Sequence, residues 1–214
     1  MNIYLDLETI GPNWDDLRKA KWARAKVPKT HKKPESIDKW VHEHWGETYR
    51  RTALDWRHLH IWVIGYKIDD DEPVAICEGN EADTMAAFAQ VMATHCVGGP
   101  RWVGHNIKGF DMPLLWRRAC RYGLSRLRFF LPHDKWSKSI IDTAEVWAAT
   151  DWKSYHKLSD ICAYLGIPVK TGGIDGSKVY DAYLAGETDR VIDYCLEDVQ
   201  ATYECAQMMG ALGV

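Results

Sequence analysis

Asn2-Ile3-Tyr4-Leu5-Asp6-Leu7-Glu8-Thr9-Ile10 stands at the head of the sequence, and how it is read decides the fold. Residues 2–7 are an apolar run of the β-branched, aromatic and aliphatic type that favours a strand. Successive strand side chains point to opposite faces, so Asp6 and Glu8 share one face while Leu5 and Leu7 point the other way. Two anions so placed repel unless a cation joins them. On its own a D-x-E triplet is more often a polar strand end than a site, so it needs partners elsewhere in the chain.

Outward from that strand, residues 61–68, 73–78 and 101–105 are further short runs rich in Ile, Val, Tyr and Trp, bounded by Gly, Pro or acidic turns. Asp69-Asp70-Asp71-Glu72-Pro73 has the composition of a tight hairpin connection, which makes part of the sheet antiparallel. Helical patterning covers 81–95, 110–122, 142–149, 156–165, 177–185 and 187–210. Strands interleaved with helices predict an α/β fold with a mixed sheet. At 214 residues the chain fits one domain, 1–214, better than two. It shows no internal repeat.

Charge is unevenly distributed. Residues 13–60 carry twelve Lys/Arg against seven Asp/Glu, so this segment is +5 and the rest must be −8 to reach the net −3. The segment also holds five of the eleven tryptophans: Trp14, Trp22, Trp40, Trp45 and Trp56. Within it, 15–26 reads as a basic helix, 27–34 as a Lys- and Pro-rich loop, and 36–51 as a helix with Ser36 as N-cap. It is a basic helical insertion in an otherwise acidic protein. Cations interleaved with indoles suit a surface that tracks a nucleic-acid strand, with Lys29, Lys32 and Lys33 as candidate phosphate contacts; a solvated helical pair pinned by its tryptophans is the equal alternative.

Several classes are excluded by composition. The chain is 46% hydrophobic and 27% charged, as a globular protein is, and it has no run near the roughly 20 apolar residues of a membrane span. The first residues lack a basic and then long apolar leader, which makes the cytoplasm the default location. Six cysteines are scattered with no C-x-x-C pair and read as buried thiols rather than disulfide or zinc partners.

Two further acidic elements accompany the D-x-E triplet. Gly104-His105-Asn106-Ile107-Lys108-Gly109-Phe110-Asp111 closes the fourth candidate strand, turns, and opens a helix, which puts Asp111 at a helix N-terminus where an acid also favours the dipole. Tyr194-Cys195-Leu196-Glu197-Asp198 lies in the terminal helix, where Tyr194 and Asp198 are spaced i, i+4 and face the same way. Each element alone has an ordinary structural explanation.

Together, in this order, they resemble the DEDD superfamily of 3′-to-5′ exonucleases. Its three motifs correspond to Asp6-Leu7-Glu8, to Asn106 with Phe110-Asp111, and to Tyr194 with Asp198; a Tyr four residues before the last Asp marks the tyrosine subclass. Ser159-Asp160-Ile161-Cys162, Leu165-Gly166-Ile167-Pro168, Asp175-Gly176-Ser177-Lys178-Val179 and the Tyr194 stretch are similar to a predicted exonuclease family related to the exonuclease domain of family B DNA polymerases. The resemblance covers most of the chain beyond about residue 61. It implies a ribonuclease H-like fold, with helices on both faces of the central sheet.

It also implies a chemistry. Phosphodiester hydrolysis needs an activated water and a neutralised leaving oxygen, which two metal ions about 3.5–4 Å apart supply. Oxygen-only ligands suit Mg²⁺ or Mn²⁺ rather than zinc. By resemblance, Asp6 bridges two ions, Glu8 and Asp198 complete one site, Asp111 holds the other ion, and Tyr194 orients the attacking water. Thr9 and Ile10 match positions that touch the terminal nucleotide; Phe110 is a candidate for stacking on a base, with a core role as the commoner alternative, and Asn106 is a further candidate substrate contact. The expected substrate is nucleic acid with a free 3′ end, single-stranded DNA foremost, and any polymerase, replication or repair activity belongs to a partner. An RNA-trimming exoribonuclease and a non-catalytic binding module of the same fold are the competing readings. Oligomeric state is not legible.

Overall fold

The computed structural model describes residues 1–12, 27–44, 55–96, 98–134, 136–151, 154–169 and 174–213. The expected basic helix at 15–26, the far end of the expected helix 36–51, and residues 170–173 fall outside them.

Five strands form one sheet in the order β3-β2-β1-β4-β5. They are β1 (Asn2–Ile10), β2 (His60–Ile68), β3 (Val74–Ile76), β4 (Arg101–Gly104) and β5 (Ile140–Asp142). β1 pairs antiparallel with β2 and parallel with β4, β2 pairs antiparallel with β3, and β4 pairs parallel with β5. The sheet is therefore mixed, with the D-x-E strand in its middle. The acidic turn 69–73 does connect an antiparallel pair: Asp69 takes a left-handed φ of 45°, and Asp71 N–H donates to Ile68 O at 2.9 Å.

The described helices are α1 (Pro34–Glu43), α2 (Glu81–His95), α3 (Asp111–Arg121), α4 (Ser125–Phe130), α5 (Thr143–Ala148), α6 (Leu158–Leu165), α7 (Val179–Leu184) and α8 (Thr188–Met208). Ser36 is not the N-cap of α1. The helix starts at Pro34, whose fixed φ and missing N–H suit a first helical position, and Ser36 Oγ donates back to Lys33 O at 2.8 Å from inside the first turn. α4 and β5 were not anticipated.

Strand alternation divides the core in two. Ile3, Leu5 and Leu7 of β1 join Ile64 and Tyr66 of β2, Trp102 of β4, Met85, Phe88 and Met92 of α2, and Leu114 and Leu115 of α3 in the largest apolar cluster. Tyr4, Val103, Val199 and Ala206 pack on the opposite face, under α8, beside a cluster of Val63, Val179, Val191 and Cys195. Fully burying an aliphatic or aromatic side chain contributes about 1.5–3 kcal/mol, so each face is anchored independently and β1 cannot slip by one residue without exposing both. Helices thus cover both faces, and the expected α/β architecture is the observed one. No helix among the described residues is long and apolar enough to cross a membrane.

Candidate active site

Asp6 and Glu8 project from β1 on the α8 side, the same side as Tyr4. A β-bulge lies beside them: Glu8 pairs with Val63 but Thr9 with Ile61, which leaves Trp62 as the extra residue. Bulges re-aim neighbouring side chains and increase local twist, and this one ends the regular register where the acids emerge. Gly65 pairs opposite Asp6. A Cβ there would stand 2.6 Å from Cys195 Sγ and 3.0 Å from Val199 Cγ2, so the missing side chain lets α8 lie directly on the sheet.

α8 brings the remaining partners. Tyr194, Cys195 and Asp198 face the sheet over β1 and β2; Tyr194 is hydrogen bonded to Asp198. The Cys195 thiol donates to Asp6 Oδ2 at 3.5 Å, with Asp6 O at 3.7 Å. An Asp6 oxygen, a Glu8 oxygen and Cys195 Sγ all lie within 4.8 Å of one another. Asp111 enters from the first position of α3, 5% exposed, and the backbone N–H of Leu7 is hydrogen bonded to both its carboxylate and that of Asp6.

The turn leading to Asp111 is held by a residue the sequence reading passed over. Asp142, 4% exposed, accepts from Asn106 N–H at 2.8 Å and Lys108 N–H at 3.1 Å, and caps α5 through Ala144 N–H at 3.1 Å. Asn106 sits at φ 56°, tolerable for Asn, and a Cβ on Gly109 would meet its Oδ1 at 2.5 Å. Asp142 does have a sequence signal: an acid at the start of the helix expected over 142–149 is of the residue type that favours an N-cap, although the sequence reading placed it inside the helix. Its grip on a turn more than thirty residues away has none.

These acids perturb one another. Asp6 is raised from 3.8 to about 7 by burial and then by the Asp198 charge. Asp198 is raised to about 6 by burial and Glu197, against the hydrogen bond from Tyr194. Glu8 is pushed well up by burial and by Asp6, Asp198 and Asp111, and Asp111 by burial and Asp6. Unit charges about 4 Å apart near a protein surface repel by roughly 4 kcal/mol, enough to retain a proton or recruit a cation. Burial and the same acids raise Tyr194, so its hydroxyl keeps its proton.

The donor set fits a hard divalent ion. Cys195 is the one soft donor in the group, but burial and the Asp6 charge push its thiol well up, and it acts as a hydrogen-bond donor to Asp6 rather than a thiolate. Carboxylate oxygens are left, the ligands Mg²⁺ and Mn²⁺ prefer. Cys195 was read from the sequence only as a buried thiol, which it is.

The structure thus gathers Asp6, Glu8, Asp111, Tyr194 and Asp198 into one interacting group. Thr9 and Ile10 follow immediately on β1, with Ile10 packing toward the α7–α8 cluster. Phe110 packs partly against the main core, and Asn106 borders an open recess. Lys29, Lys32 and Lys33 are exposed in the approach to α1, and no described hydrogen bond, ion pair or ring contact joins them to the acids.

A mixed sheet with helices on both faces, and acids converging on its central strand, defines the ribonuclease H-like class to which exonuclease domains of family B polymerases belong. Within that class, the chain belongs to the family described as "Predicted 3'-5' exonuclease related to the exonuclease domain of PolB", matched over residues 55–209. That span contains Asp111, Tyr194 and Asp198; Asp6 and Glu8 precede it. A DNA polymerase of Archaeoglobus fulgidus is 24% identical over 156 residues, covering 69% of this chain and 20% of the polymerase. The structure of the family B DNA polymerase from Pyrobaculum calidifontis superposes with a TM-score of 0.57 at 18% identity, covering 97% of this chain and 24% of that one. The chain therefore spans about a fifth to a quarter of these polymerases. At family level this carries a nuclease-like function on nucleic acid, and exonuclease domains of this kind use divalent metals.

Proposed function

We propose that residues 1–214 form a single 3′-5′ exonuclease domain that hydrolyses phosphodiester bonds at the free 3′ end of single-stranded DNA, using two Mg²⁺ or Mn²⁺ ions. The observation that carries this is the convergence of Asp6, Glu8, Asp111 and Asp198 from three separate chain regions into one group whose charges raise one another and which no basic side chain is described as neutralising. Bound divalent ions would supply water activation at neutral pH and neutralise the leaving oxygen.

The protein's own residues do the rest. Asp6, Glu8 and Asp198 would form the ligand set on the α8 side, and Asp111 the outer ligand at the N-terminus of α3. Tyr194, protonated and already donating to Asp198, would orient the attacking water rather than deprotonate it, because burial and the surrounding acids hold its hydroxyl in the neutral, protonated form. Cys195 holds Asp6 in place from below. Thr9, Ile10, Asn106 and Phe110 would contact the terminal nucleotide, and Lys29, Lys32 and Lys33 would contact phosphates farther along the strand.

The test is hydrolysis of 5′-labelled single-stranded DNA, duplex DNA and RNA in Mg²⁺, Mn²⁺ or EDTA. Stepwise shortening of the DNA single strand from its 3′ end, abolished by EDTA, is expected. Undiminished cleavage in EDTA would sink the metal mechanism, and faster cleavage of RNA would reassign the substrate.

A further inference from the structure

The 105–110 turn that carries Asp111 also forms one wall of a recess of about 830 Å³, within the range of small-molecule and cofactor sites. Asn106, Gly109 and Asp142 line its inner side, and Trp136 and Tyr155 its outer side. Both aromatics are largely open to solvent, Trp136 at 78% and Tyr155 at 65%.

The recess adjoins the acids. The Tyr155 ring stands 6.2 Å from that of His105, which is itself fixed between Thr143 Oγ1 at 3.1 Å and His156 O at 2.9 Å. Burial and the charges of Asp142 and then Asp111 raise the Tyr155 hydroxyl, so this ring lies within electrostatic reach of the site. Among the described residues of the wall, Lys108 pairs with Glu145, and Asp142 is committed to three backbone N–H groups. A phosphate would find no uncommitted cation among these residues, whereas a flat uncharged ring finds two aromatic faces and the amide of Asn106.

We propose that this recess binds the bases of the substrate strand just upstream of the terminal nucleotide, with Tyr155 and Trp136 as stacking surfaces. The inference rests on the exonuclease reading above and adds a base-binding subsite that is largely indifferent to sequence, because every base offers a π-face.

The experiment measures fluorescence anisotropy of 5′-fluorescein-labelled decathymidylate with Ca²⁺ in place of Mg²⁺, since Ca²⁺ accepts oxygen ligands in a looser geometry. Trp136→Ala and Tyr155→Ala are each expected to weaken binding by roughly 5- to 150-fold, the span of single base-aromatic stacks, while Tyr155→Phe stays within about two-fold of wild type because it keeps the ring. An abasic residue at the second or third position from the 3′ end should weaken wild type similarly and add little to either alanine variant. Wild-type affinity in both alanine variants, or abasic penalties that add in full, overturns the subsite alone. Failure of the unmodified protein to bind the oligomer would bring down the nucleic-acid reading and the subsite together.

Discussion

Glu81, in the first turn of α2, and Glu8, near the end of β1, are buried almost equally, 6% and 8% exposed, and they respond in opposite directions. Glu81 accepts from Ile61 N–H at 2.8 Å, Arg118 Nε at 2.6 Å and the Tyr122 hydroxyl at 2.6 Å, with His60 Nδ1 at 3.6 Å. Burial raises it, but the hydrogen bonds from His60, Tyr122, Ile61 and Arg118 outweigh burial and hold it at about 2. Arg118 is completed by the carbonyls of Trp56 and Leu59, so the network ties α2 and α3 to the start of β2. Glu8 is surrounded by acids and rises. Burial of a carboxylate is therefore no sign of function; what separates the two regions is whether its neighbours donate or repel. One region is satisfied by donors within the chain, whereas in the other the acids face one another.

The sharpest way to break this contrast is to remove an acid from each region. Asp6→Ala or Asp198→Ala should lower turnover by at least about 10²–10³-fold, the scale of losing a preorganised electrostatic group, while thermal melts in EDTA show no loss of stability, since deleting one of several repelling anions relieves strain. Unfolding of either variant at ordinary temperature would make that acid structural. Glu81→Gln should do the reverse, costing about 3–5 kcal/mol because Arg118 is left buried without its anion, or on the order of 10 °C in melting temperature for a protein of this size. Its turnover per folded molecule at low temperature should match wild type. An unchanged melting curve would remove the distinction.

Tyr194→Phe probes a hydroxyl that is hydrogen bonded to the acidic group. It should slow turnover about 10²-fold, the lower end for a positioned proton-handling group, with substrate affinity preserved. Wild-type kinetics across pH would leave Tyr194 without a chemical role.

Smallest, and most specific to the contrast, is the pH dependence of stability. Asp6 and Asp198, raised to about 7 and about 6 in the folded protein, keep protons there that the unfolded chain sheds near pH 4. Their contribution to metal-free stability is full below about pH 4 and is lost as pH rises through about 6 to 7. Glu81, depressed to about 2, contributes above about pH 4 and loses that contribution only as pH falls toward 2. In EDTA the melting temperature should therefore fall by a few degrees between about pH 5 and 8, and Mn²⁺ should restore more of it at pH 8 than at pH 5. A metal-free melting temperature that climbs steadily to pH 8 would contradict the assignment.

Much of the site region could be read from the sequence because its signals are local. Alternation in residues 2–8 placed Asp6 and Glu8 on one face, the acidic turn at 69–73 announced an antiparallel pair, and i, i+4 spacing joined Tyr194 to Asp198. What escaped notice is either short or long-range. β5 and α4 span too few residues for periodicity to register. Asp142 acts on Asn106 and Lys108, Cys195 on Asp6, and Arg118 on Glu81 across tens to nearly two hundred residues of chain, and no local pattern encodes such pairs. Ser36 was assigned as a cap on residue type, whereas Pro34 set the helix start by backbone geometry.

One consequence of the strand order concerns how this domain can change over time. β1 carries two of the acids at the centre of the sheet and is fixed on both sides, by β2 and by β4, so its register owes nothing to the length of the connection at 11–59. Apart from its C-terminal end, where the carbonyls of Trp56 and Leu59 hold Arg118, a change of charge or length in that connection leaves the pairing of β1 with its two neighbours in place, which makes it the natural point for descendants of this chain to diversify what they engage while the acids on β1 stay put.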